Sequence, residues 1–75
     1  MRAIDAVREA AAKAGVPITH IGVSMGKART YVNTAISKNT VPRADSLSAM
    51  LHQCGYELAA VKQEDITENM LVIDG

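Results

Sequence analysis

Phenylalanine and tryptophan are absent from this 75-residue sequence, and aromatics make up only 3% of it although 48% of its residues are hydrophobic. The bulky rings that fill the space between two sheets are missing, while alanine is abundant. A mainly helical class with close-packed short helices is therefore expected rather than a sheet sandwich. Cysteine is represented by Cys54 alone, which excludes an internal disulfide and a cluster of thiolates for zinc, and suits a reducing cytoplasm. No long apolar run is present, and the opening "MRAIDAVREAAAKAG" carries Asp5 and Glu9. It reads as neither a signal peptide nor a membrane span. A chain this short suits one small domain with a thin core, which favours a dimer over a monomer.

Acids are also missing from a long stretch. Between Ala10 and Ala44 there is none, whereas Lys13, Lys27, Arg29, Lys38 and Arg43 all fall there. The zero net charge thus hides a division: residues 1–62 hold all eight bases and four of the eight acids, a balance of +4. Residues 63–75 hold Glu64, Asp65, Glu68 and Asp74 and no base, a balance of −4. The local field governs encounter, so an anionic partner is compatible with this chain.

Apolar Ile4, Val7, Ala11 and Ala14 recur at helical spacing before Gly15 and Pro17, which predicts a first helix over residues 3–14. Pro17 suits the first turn of a second helix with Ile18, Ile21 and Met25 on one face, and Gly26 suits its left-handed cap. A third helix is expected from about Ala28 to Ser37, burying Val32, Ala35 and Ile36. After the turn "SKNTVPR" a fourth helix begins just beyond Pro42, with Leu47, Met50, Leu51 and Cys54 inward and Gly55 at its end. The period then changes. "YELAAV" alternates, and the apolar "MLVID" follows the polar "KQEDITEN", so two short strands are expected. A lone hairpin is marginal in water, which points to pairing with the same strands of a second copy.

The order Gly22, Gly26, Val32 has a physical meaning. In a helix-turn-helix the two helices cross steeply and touch, so the crossing tolerates only a tiny side chain. The turn needs a residue at ease with positive φ, and the second helix must anchor one apolar side. Gly22, Gly26 and the pair Val32 and Ala35 meet these needs in sequence, leaving the other face free for a major groove.

With these residues in place, the stretch "AGVPITHIGVSMGKARTYVNTAISKNTVP", and residues 4–56 as a whole, resemble the Cro/C1-type (XRE, lambda-repressor-like) helix-turn-helix family. The resemblance implies a compact domain of four or five helices over residues 1–56 that binds double-stranded DNA, usually as a homodimer on a two-fold site. Residues 57–75 would form a C-terminal strand or hairpin with an acidic tail, used in dimerisation through Tyr56, Leu58, Ala60, Leu71 and Ile73. Departures are visible. The family's usual Ser or Thr cap is replaced by Ala28, its usual apolar residue by Lys27 and its usual alanine by Gly22, each exchange of cap or alanine costing ~1 kcal/mol. Its buried Arg–Glu pair is replaced by Ala11 and Ile36, a joint loss that is often neutral or stabilising. Where a glycine commonly follows, this chain has Lys38, with Asn39 beside it as the left-handed residue.

By the family's register, Arg29, Thr30, Asn33 and Thr34 face base edges, with Tyr31 at the margin. Arginine can bond guanine O6 and N7, asparagine adenine N6 and N7, and a threonine methyl can pack on thymine. Lys27, Tyr31, Lys38, Asn39 and Arg43 would contact phosphates and make binding salt-dependent. His20 and His52 lack carboxylates at metal spacing, and no nucleophile and base pair stands out, so no catalytic residue, metal or cofactor is expected. The expected function is a sequence-specific transcriptional regulator, most simply a repressor, located in the cytoplasm with the nucleoid. The alternative is an antitoxin or phage-type module on the same fold that binds a protein partner, a toxin or a host factor. A DNA-free scaffold would be favoured by burial of Arg29 and Asn33.

Overall fold

The computed structural model describes residues 1–74. Four helices account for its regular structure: α1 (Ala3–Ala14), α2 (Ile18–Ser24), α3 (Tyr31–Ser37) and α4 (Ala44–His52). A single 3-10 turn, Gln63–Asp65, follows in an otherwise irregular C-terminal segment. The chain is thus mainly helical, as its composition predicts. No described helix is long and apolar enough to cross a membrane.

The apolar stripe of α1 supplies Ile4, Val7, Ala10 and Ala11 to one core, joined by Ile21 of α2, Val32 of α3, Leu47, Met50 and Leu51 of α4, and Cys54. Alanines on α1 let the other helices approach closely: α1 lies against α4 and α3, and α2 against α3. Ala11 is buried in this core and Ile36 packs against it, so two apolar residues stand where a buried ion pair would need every hydrogen bond satisfied. Burial pushes the Cys54 thiol above its ordinary pKa, as expected of a small core residue that avoids ionising in apolar surroundings.

The helices share one kind of ending. In each, an N–H beyond the last turn reaches back five residues: Val16 to the Ala11 carbonyl at 2.9 Å, Lys27 to Gly22 at 2.8 Å, Thr40 to Ala35 at 3.0 Å, Tyr56 to Leu51 at 2.9 Å. This closure needs a left-handed residue just before the donor. Gly26 takes φ 74° for the second helix, and Asn39 takes φ 54° for the third, the role its short polar side chain permits. Beginnings are less well made, since none of the four helices has a side-chain cap.

One expectation needs correction, and a second is not met within a single chain. The third helix starts at Tyr31 rather than near Ala28. Ala28 offers no capping oxygen, and the chain from Lys27 to Thr30 is spent on the turn, with the Tyr31 N–H bonding the Ala28 carbonyl at 3.1 Å. The expected strands are not formed among the described residues. Residues 57–61 make no backbone hydrogen bond there, and the second apolar run turns to the start of the chain instead. Met1 donates to the Val72 carbonyl at 3.0 Å, and the Asp74 N–H donates to the Met1 carbonyl at 3.1 Å. Two short runs gain too little from pairing only with each other.

Candidate nucleic-acid interface

The α2–α3 unit is held together at Gly22. A Cβ built there would lie 2.4 Å from the Ala28 carbonyl oxygen and 3.1 Å from Tyr31 Cβ. The turn therefore rests directly on the α2 backbone, and Gly22 is buried beneath it. From this pivot α3 sends Val32 fully inward and leaves Ala35 and Ile36 half-buried.

Helical spacing assigns the other side. Arg29, Thr30, Asn33 and Thr34 are all exposed, Asn33 and Thr34 on α3 and Arg29 and Thr30 in the turn that leads into it. Within the described residues their side chains are engaged in no hydrogen bond or ion pair, so Arg29 and Asn33 keep their full donor and acceptor capacity. Lys27 is exposed and places Nζ 5.9 Å from the Tyr31 ring centroid, a cation–π distance. Tyr31 itself is half-buried against Gly22.

The remaining sequence-predicted phosphate residues lie around the α3–α4 loop. Lys38 and Asn39 are exposed. Arg43, 85% exposed at the start of α4, stands 3.5 Å from Asp45, a loose surface pair of little energetic weight. Among the described residues Lys27, Arg29 and Lys38 pair with no carboxylate. This surface is basic because of the acid-free stretch in the sequence.

Sequence reasoning missed Arg2. Its guanidinium reaches across 37 positions to the side chain of Asn39 and grips Asp5 at 2.9 Å. The hydrogen bond from Arg2 holds the Asp5 carboxyl below its ordinary pKa, and that bond in turn raises the pKa of Arg2. No spacing rule signals such a contact, because it depends on how the α1 start meets the end of α3.

The five residues assigned to dimerisation divide between two environments. Tyr56 and Leu71 are half-buried against the core; Leu58 and Ile73 are each 37% exposed, and Ala60 is exposed. Tyr56, Leu58, Leu71 and Ile73 line an apolar cleft of about 560 Å³ whose floor includes Leu47 and Leu51. His52 Nε2 lies 3.0 Å from Glu57 and His20 Nε2 3.1 Å from Ser24 Oγ, all at the surface. No group of three His, Cys, Asp or Glu residues among those described is placed to hold a metal ion.

No protein-family model matches the chain, and no curated protein or solved structure is matched by it.

Proposed function

We propose that this chain is a sequence-specific duplex-DNA-binding regulator of the Cro/C1 helix-turn-helix type, acting as a homodimer and most simply as a repressor. One observation carries the reading. A helix-turn-helix pivot too tight for a Cβ at Gly22 supports a stretch of chain without acids on which Arg29, Thr30, Asn33 and Thr34 stand exposed and unengaged. A purely solvated helix face has no need of this combination. On this reading Arg29 takes guanine and Asn33 adenine by paired hydrogen bonds, each worth about 1–3 kcal/mol of discrimination. Lys27, Tyr31, Lys38, Asn39 and Arg43 fix the domain on the sugar–phosphate backbone. In a dimer the two recognition helices would lie about 34 Å apart and read half-sites one turn apart.

The test is selection of bound sequences from a random duplex library, with the Arg29→Ala, Asn33→Ala double variant in parallel. A two-fold symmetric motif that the variant loses is the expected result. Recovery of no motif by the folded protein would defeat the reading in favour of a protein partner. That second reading has its own support, because Leu58, Val61, Ile66, Met70, Val72 and Ile73 are exposed large apolar residues gathered in one segment. A stable stoichiometric complex with a toxin or host factor through that segment would be its signature.

A further inference from the structure

Arg2 stands beside the loop that closes α3. Its Nε–H donates to Asp5 Oδ2 at 2.9 Å, one Nη2–H to Asp5 Oδ1 at 3.2 Å, and one Nη1–H to Asn39 Oδ1. A guanidinium has five N–H donors and no acceptor. Two N–H groups are therefore left over, on a side chain that is 47% exposed. The adjacency does not depend on one bond, since Arg2 and Asn39 also line a small cleft together with Thr40, Val41 and Pro42.

The same chemistry orients Asn39. Its carboxamide has one acceptor oxygen and one donor nitrogen, and Arg2 can only donate. The oxygen must face Arg2, which sends Nδ2 and its two donors away from it. The backbone of Asn39 is held too, by its left-handed φ of 54° and the Thr40 bond to Ala35. Two spare guanidinium donors and two amide donors thus stand close together, and Lys38 is the exposed residue next to Asn39 in the chain. Two carboxylates lie nearby: both oxygens of Asp5 are occupied by Arg2, and Oδ1 of Asp74 takes the Met1 ammonium at 2.7 Å. Spare donors of this kind suit a phosphate oxygen, and the planar fork of arginine matches that ligand well.

We infer that Arg2 is a further DNA-backbone contact, reaching a phosphate together with Asn39, whose amide it turns outward. The inference rests on the duplex-binding reading above. It makes the N-terminal end of α1 part of the interface, a region that the helix-turn-helix alone does not include.

The experiment measures affinity against salt concentration on the selected motif and on a random duplex, for wild type, Arg2→Ala, Asn39→Gly and the double variant. Glycine keeps the left-handed backbone at position 39 while removing the amide, and far-UV circular dichroism checks the helices of every variant. Arg2→Ala is expected to weaken both duplexes alike, by roughly three- to ten-fold, and to lower the salt slope by up to about 0.9. The preferred motif should be unchanged. The double variant should lose less than the product of the two single losses, because one residue acts partly through the other. A folded Arg2→Ala protein with wild-type affinity and slope overturns the inference and leaves the duplex reading standing. A wild-type protein with no salt-dependent duplex binding overturns both.

Discussion

Gly22 is the residue on which the packing of α2 against α3 depends. Alanine has better helix propensity by about 1 kcal/mol, and from sequence alone its absence here looks like a loss. The structure reverses that judgement. An alanine methyl would lie 2.4 Å from a backbone oxygen, an atom that cannot swing aside as a side-chain tip can. Overpacking of this kind costs roughly 1–3 kcal/mol, and because the clash is with backbone the upper part of that range is the appropriate one. Gly22→Ala should therefore lower the thermal midpoint by several degrees, despite the propensity gain, as read by circular dichroism. An equal or higher midpoint would mean that the turn can lift off α2 without penalty. What sequence reveals at this scale is the requirement for a small residue. The crossing geometry adds that even one carbon is too many. Arg2 marks the opposite limit: nothing local to it announces a partner at Asn39, because that pairing exists only once α1 and the α3–α4 loop have been packed.

At the scale of the element, the helices were legible wherever their signals were local. Gly15 and Gly55 stop α1 and α4, Gly26 caps the second helix, and Asn39 serves as the left-handed residue. Helix starts were less legible, since this chain has no side-chain caps and the missing cap at Ala28 let the start of α3 slip to Tyr31. The start of α4 shows what this arrangement sacrifices. Arg43 holds the cap position with the extended backbone that capping serines adopt, φ −65° and ψ 155°, yet an arginine cannot accept from the first N–H groups. Arg43→Ser should stabilise the fold by about 0.5–1 kcal/mol. On the proposed function it should also weaken duplex binding and lower the salt slope by up to about 0.9. Denaturant melting and salt-dependent binding on one sample read both effects. Gain of stability with undiminished binding would remove Arg43 from the phosphate contacts, whereas loss of both would show that its loose pair with Asp45 matters more than the cap.

For the whole molecule, the unsolved element of the sequence is the C-terminal segment, and the reason is physical. Strand signals in "YELAAV" and "MLVID" describe what those residues can do in a sheet, but a sheet needs a partner, and one copy of the chain does not supply it. Residues 57–61 are left without backbone partners among the described residues, and the apolar side chains of the segment are left at the surface, Leu58 and Ile73 at 37% exposure. Unpaired backbone beside exposed apolar side chains is the condition under which strands add to one another. The charges favour this role too. The tail's only ion pair among the described residues joins Asp74 to the Met1 ammonium at 2.7 Å, and Glu64, Asp65 and Glu68 pair with no base there. If the proposed homodimer forms here, sedimentation equilibrium should return about twice the 8.0 kDa chain mass. Amide I infrared absorption should gain a strand band as concentration rises. Leu58→Asp with Ile73→Asp should return a single chain mass and lose that band while far-UV circular dichroism keeps the helices, because neither residue lies in α1–α4. Operator affinity should fall steeply in the same variant, since a monomer engages one half-site at a time, while its weak binding to random duplex should persist. A wild-type protein that stays a single chain, or a variant that remains dimeric, would remove this segment from the interface and leave its apolar surface to a different protein.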